Sequence, residues 1–119
     1  MENKQMEQIF EAIKEERERQ EKKWGQQNHP ILDQVLLSRE GSCVPERMCE
    51  EYEIPTEWRA KSLCNGNFSR GTGTYMHILI EEVSEAVSCL SDTESMRKEL
   101  IQCAAVVVAM IESLDRNGK

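Results

Sequence analysis

The sequence predicts an all-α fold, a helical bundle of four to five helices built around an antiparallel helical hairpin and completed by oligomerisation. Two observations lead to this prediction. Apolar residues recur every three to four positions near both ends of the chain, as in amphipathic helices, and no stretch alternates as a strand does. Proline, glycine and threonine also stand where the helical stretches begin or end.

Residues 4–24 make the first predicted helix, whose apolar stripe consists of Met6, Ile9, Phe10 and Ile13. The charged stretch Lys14–Lys23 predicts a solvated face on which opposite charges stand four residues apart. Trp24 and Gly25 end this helix. Two roles stay open for Trp24, a cap on the hydrophobic core and a surface on which a base stacks.

Short helices alternate with loops in the middle of the chain. Gly25–Pro30 and Glu40–Pro45 are predicted loops, and Ile31–Ser38 between them is long enough for one or two helical turns. Pro45–Tyr52 and Pro55–Asn65 are predicted helices, since each begins with a proline, which the first helical turn tolerates.

Two threonines are candidate helix caps. Thr56 stands at the start of the second of these helices, and Thr74 precedes the helix that begins at Tyr75. Asn65–Gly73 is predicted to be a glycine-rich connector between the two helices. A glycine loop before a helix can cradle phosphate, but the short GTG match does not distinguish that role from a flexible connection.

The segment Tyr75–Arg116 predicts the central hairpin, with its turn near Ser91–Glu94. Glu85 and Glu99 then lie at equal distances on either side of position 92. Because each helix rises by about 1.5 Å per residue, the two side chains stand at the same height.

The same symmetry places Glu82 level with Gln102. Each helix thus presents two oxygen-bearing side chains at i,i+3, on one face. The alternative is an ordinary solvated face opposite an apolar stripe. Four oxygen ligands at one height suit a hard cation, so the metal ligands predicted here are Glu82, Glu85, Glu99 and Gln102.

Other metals fit the sequence less well. Oxygen ligands favour Mg²⁺, with Mn²⁺ as the alternative, over iron or zinc. A di-iron bundle would require Glu-x-x-His, whereas His77 precedes Glu81 by four residues. Cys43 and Cys49 lack a second Cys/His pair at the spacing of a zinc site.

The apolar run Cys103–Ile111 covers every side of its helix and so must be covered all round. A chain of 119 residues with few helices does not do this alone. A partner subunit is the natural cover, which predicts a homodimer or homotetramer.

Composition limits the remaining possibilities. The length of 119 residues predicts one domain, residues 1–119. The net charge of −7 argues against a nucleic-acid polymer as partner. No apolar run approaches the roughly 20 residues of a membrane span, and the polar stretch Met1–Gln8 is unlike a signal peptide. The 5 cysteines, odd in number and without a C-x-x-C pair, predict thiols in a cytoplasmic protein.

Glu81-Glu82-Val83-Ser84-Glu85 followed by Glu99-Leu-Ile-Gln102 resembles the paired motif of the all-α nucleoside triphosphate pyrophosphohydrolases, the MazG-like superfamily. The likeness spans about residues 17–116 and includes RQEKKWGQQNHP and IPTEWRAKSLC. It implies a single MazG-like domain that cleaves the α–β phosphoanhydride of a (d)NTP, giving the monophosphate and pyrophosphate.

The resemblance also implies roles for individual residues. Mg²⁺ would be held by Glu82, Glu85 and Glu99, and Glu81 would orient water, so that all four glutamates count as catalytic candidates. The candidate substrate contacts are basic, polar and aromatic residues of the first helix and one lysine before Glu99: Arg17, Gln20, Lys23, Trp24 and Lys98. For each of the charged residues, the role of a solvated surface charge stays open as the alternative.

The chain departs from the family pattern at Gln102, where the family has Asp. An amide oxygen ligates Mg²⁺ but brings no charge. This departure favours the alternative function, a non-catalytic helical oligomer that acts as a nucleotide-binding or protein-interaction module. A di-metal redox protein is a third possibility.

Overall fold

The computed structural model describes residues 3–39 and 43–119, which form six helices and, within these ranges, no strand. The all-α prediction is confirmed. Six helices replace the expected four to five, because the two short segments in the middle of the chain, Gln34–Leu37 and Pro45–Glu51, each form a helix. The bounds are α1 (Lys4–Trp24), α2 (Gln34–Leu37), α3 (Pro45–Glu51), α4 (Glu57–Ser69), α5 (Tyr75–Ser88) and α6 (Thr93–Asn117). The predicted loop Glu40–Pro45 begins with residues outside the described ranges.

The chain divides into two compact units. One comprises Met1–Pro30 and Val108–Lys119, and the other comprises Ile31–Val107. The expectation of a single domain stays a prediction.

In the first unit, α1 begins and ends where the sequence predicts. The Asn3 side chain accepts a hydrogen bond from the Met6 amide, and Gly25 takes a positive φ of 70° while its N–H donates to the Glu21 carbonyl. The Gln5 side-chain amide donates to the Glu112 carbonyl at 3.2 Å. This bond ties the start of α1 to the end of α6.

The second unit holds a core of four buried residues, Leu32, Leu36, Met48 and Met96. Asp33 caps α2 by accepting from the Leu36 amide, and the Tyr52 hydroxyl accepts from the Asp33 N–H at 2.8 Å. The segment after Pro30 therefore contributes to the core of this unit.

The predicted glycine-rich connector is wrong over much of its length, because α4 continues to Ser69. Local side-chain bonds support the extension: the Asn67 amide donates to the Leu63 carbonyl at 2.8 Å, and the Thr72 hydroxyl donates to Asn67 Oδ1 at 2.8 Å. Pro55 also lies before the cap Thr56 and not in the first helical turn.

The N-terminus of α5 carries a capping box. Thr74 accepts from the His77 amide, and the His77 ring accepts from the Thr74 N–H at 3.1 Å. Farther along α5 the fully buried Ser84 hydroxyl donates to the Pro55 carbonyl at 3.0 Å. Both the cap and this bond fix how α5 rotates about its own axis, and hence which face its glutamates occupy.

The connection to α6 is Cys89–Asp92, slightly ahead of the predicted turn. Leu90 takes a positive φ of 53° there. Asp92 accepts from the Ser95 amide at 3.1 Å and from the Ser95 hydroxyl at 2.8 Å, and these bonds lower the pKa of the Asp92 carboxyl. No helix in the described part of the chain is long and apolar enough to cross a membrane.

Candidate metal centre

Three predicted ligands from two helices meet in the second unit. Glu82 and Glu85 on α5 and Glu99 on α6 each offer a carboxylate oxygen, and these oxygens all lie within 4.8 Å of one another. All three side chains are half-buried. The i,i+3 spacing brings the first two to one face of α5, as the sequence predicts.

Gln102 joins the same cluster. With its amide nitrogen turned towards the carboxylates, it donates to Glu82 Oε2 at 2.9 Å and to Glu99 Oε2 at 3.2 Å. The opposite orientation would set three oxygens against one another, so hydrogen bonding assigns this one. Rotation of the amide by half a turn presents its oxygen at the same place. Gln102 can therefore act as a donor between the carboxylates or as a neutral ligand to a cation.

Two of the clustered carboxyl groups, Glu82 and Glu85, have raised pKa values. Burial and then the charge of Glu82 raise the pKa of Glu85 to about 7, with contributions from Glu99 and Glu81. Burial and then the charge of Glu99 raise the pKa of Glu82. The groups that raise these pKa values besides burial are other glutamates, so the cluster concentrates negative charge.

This arrangement fits a hard divalent cation. Carboxylate and amide oxygens are the ligands that Mg²⁺ and Mn²⁺ prefer. An ion among the three carboxylates would relieve the repulsion that raises the pKa of Glu85. The Gln102 amide would supply a fourth oxygen without adding charge.

Glu81 occupies a different position from the other three glutamates. Burial of the Cys64 thiol on α4, followed by its interaction with Glu81, raises the pKa of Cys64. Glu81 does not belong to the group of three converging oxygens. Glu82, which the sequence predicts as a ligand, lies in that group and Glu81 does not, while the roles of both residues stay predictions.

Two cysteines near the glutamates were not foreseen from the sequence. The pKa of Cys64 is raised in part by Glu81, and Cys103 follows Gln102 directly. Burial, followed by the charges of Glu82 and Glu99, raises the pKa of Cys103. In the sequence, the signal for Cys103 was its position directly after the predicted ligand Gln102, because adjacent residues of a helix lie on neighbouring sides.

The predicted substrate contacts fall in both units. On α1, Arg17 donates to Gln20 Oε1 at 2.7 Å, and Lys23 Nζ lies 4.7 Å from the centre of the Trp24 ring. Trp24 is 56% exposed, which argues against the role of a core cap. Lys98 is exposed on α6 beside Glu99. The joint action of these residues with the glutamates stays a prediction.

Comparisons of the chain with protein-family models, with curated proteins and with solved structures find no significant match. The resemblance to the all-α pyrophosphohydrolases therefore depends on the quoted motifs.

Proposed function

We propose that the protein is a Mg²⁺-dependent nucleoside triphosphate pyrophosphohydrolase of the MazG-like type. The observation that carries the proposal is the convergence of Glu82, Glu85 and Glu99 within 4.8 Å, together with a pKa of about 7 for Glu85. A solvated acidic face would keep its carboxylates apart. Here they are held close at the cost of mutual repulsion, which a divalent cation offsets.

Each group of the site has a role in this proposal. Glu82, Glu85 and Glu99 hold the cation, and the Gln102 amide turns its oxygen towards it. A divalent cation at this position supplies positive charge against the triphosphate oxygens. Glu81 lies outside the ligand group and is the candidate to orient the attacking water. Lys98 and the α1 residues Arg17, Gln20, Lys23 and Trp24 are the candidates to hold the nucleotide.

The antiparallel pairing of α5 and α6 and the assembly into a homodimer or homotetramer belong to the same proposal. The short connection Cys89–Asp92 and the meeting of carboxylates from both helices support the pairing. Apolar side chains left exposed on α6 support the assembly: Ile101 at 52% and Val107 at 39%. Ile101 directly precedes Gln102, so a second copy seated on this side chain would also exclude water from the candidate centre.

Pyrophosphate release from a panel of nucleoside triphosphates, with Mg²⁺ or Mn²⁺, tests the activity. Glu82→Gln and Glu85→Gln are each expected to lower turnover by at least about 100-fold, because each removes a charged ligand. Helix content by circular dichroism should stay unchanged. Wild-type turnover in both variants would contradict the metal assignment.

Gln102 favours the alternative function, a non-catalytic nucleotide-binding or protein-interaction module, and measurements of ligand binding and of pyrophosphate release together separate the two functions. Gln102→Asp adds a charged ligand and is expected to tighten Mn²⁺ binding by roughly tenfold. Thermal denaturation with and without Mg²⁺ and a nucleotide reports binding in either case. Ligand-induced stabilisation without pyrophosphate release supports a binding module, and the absence of both supports an interaction protein.

A further inference from the structure

An apolar cavity is lined in part by residues of α5 and α6, the two helices that carry the candidate metal ligands. Its volume is about 290 Å³, and it lies within the second unit. The side chains that matter here come from α5, α6 and the segments before α2 and after α3: Ile31, Tyr52, Val83, Ala86, Leu100 and Cys103.

Each predicted ligand is followed directly by a residue of this cavity. Val83 follows Glu82, and Ala86 follows Glu85. On α6, Leu100 and Cys103 follow Glu99 and Gln102 in the same way. Successive helical residues point about 100° apart. The cavity therefore lies on the side of α5 and α6 adjacent to the one that carries the ligands.

We propose that this cavity binds the nucleobase of a nucleotide whose phosphates lie at the Glu82–Glu85–Glu99 cluster. The proposal rests on the proposed function for the phosphate position only. The volume falls at the lower end of the range for small-molecule sites, which suits one base and not a whole nucleotide. Apolar walls beside an acidic, cation-binding cluster match a ligand that joins a flat ring to a polyanion.

The cavity offers few groups that would read the edge of a base. The Tyr52 hydroxyl already accepts a hydrogen bond from the Asp33 N–H. Cys103 contributes a thiol, which is a weak donor. Recognition would therefore come from burial of the ring and its apolar substituents. A site of this kind distinguishes bases by apolar area, so a methyl group on the ring should improve binding by about fourfold.

Thymidine and deoxyuridine nucleotides differ by that one methyl group on the base and supply the test. KM values are measured for the two triphosphates with Mg²⁺, and dissociation constants for the two monophosphates. The wild-type protein is expected to prefer the thymidine member of each pair by about fourfold. Binding of neither monophosphate would overturn the proposal.

Leu100→Trp fills the cavity from a position that is 40% exposed, so the side chain can enter without breaking the core. It should weaken nucleotide binding by about tenfold and remove the methyl preference, while the affinity for Mn²⁺ alone stays unchanged. Leu100→Ala, which removes a wall without adding bulk, should also reduce the preference. The matched control is Ile80→Trp on α5, 38% exposed and outside the cavity, which should behave as wild type.

The other outcomes are distinct. Turnover with a methyl preference that survives in both Leu100 variants overturns the cavity proposal and leaves the proposed function standing. If the protein shows no turnover but binds the monophosphates with a methyl preference that Leu100→Trp removes, the proposed function is overturned and the cavity proposal stands. If the Leu100 variants change the oligomeric state and leave the nucleotide affinity unchanged, the cavity is a contact with a second copy. If Trp24→Ala removes the methyl preference and the Leu100 variants do not, the base binds at Trp24. This result and a contact with a second copy would each overturn the proposal.

Discussion

At the scale of single residues, the titration of Glu85 has a consequence for stability. Its pKa is raised from 4.5 to about 7 in the folded protein, so the folded state binds more protons than the unfolded state between these values. Protonation of Glu85 then favours folding. The resulting stability is fully present below about pH 4.5 and is lost as the pH rises through about 7.

We therefore expect the melting temperature in the presence of a chelator to fall between about pH 5 and about pH 8. Glu85→Gln, which resembles the protonated side chain, should flatten this dependence and raise the melting temperature at the higher pH. A smaller slope should remain, because the raised pKa of Glu82 acts in the same direction. Addition of Mg²⁺ should raise the melting temperature of the wild type more than that of the variant. An equal slope in both proteins would show that Glu85 ionises normally.

The convergence of the candidate ligands could be predicted because their pattern is local. Glu82, Glu85, Glu99 and Gln102 need only the helical repeat and a turn between two helices. The donor orientation of Gln102 and the interaction of Glu81 with Cys64 depend on how side chains from different helices meet. Spacing in the sequence carries no information on such contacts.

At the scale of elements, the end of α4 shows why composition misleads. Gly66 and Asn65 resemble a loop, yet they lie inside the helix, where the Asn67 side chain bonds back to Leu63. The glycine that the structure requires is Gly73. A Cβ there would lie 2.3 Å from the Phe68 ring, so the chain passes the ring only without a side chain.

Substitution of these two glycines should therefore have opposite effects. Gly73→Ala displaces the Phe68 ring and should lower the free energy of unfolding by about 1–3 kcal/mol. Gly66→Ala should raise it by about 0.5–1 kcal/mol, because alanine favours the helix and the new Cβ meets only the end of the flexible Arg70 side chain, at 3.3 Å. Urea denaturation followed by circular dichroism measures both. Equal losses in the two variants would contradict the structural difference between the positions.

At the scale of the whole molecule, the sequence shows that α6 needs a cover but not what the cover is. The run Cys103–Ile111 is apolar on every side, and in the single chain Ala104, Ala105 and Val107 stay exposed. They continue an exposed surface that begins with Ile101. A periodic pattern identifies the faces of a helix, whereas the identity of the neighbour depends on tertiary or quaternary contacts that have no local signature.

If a second copy covers this surface, a charge placed on it should separate the subunits. Ile101→Glu introduces a carboxylate at a side chain that is 52% exposed in the single chain and would be desolvated in an oligomer. We expect the wild type to sediment as a dimer or tetramer and this variant as a monomer. Val35→Glu on α2, at a side chain 67% exposed, is the control and should leave the assembly intact. A wild-type protein that sediments as a monomer at micromolar concentration would contradict the predicted assembly.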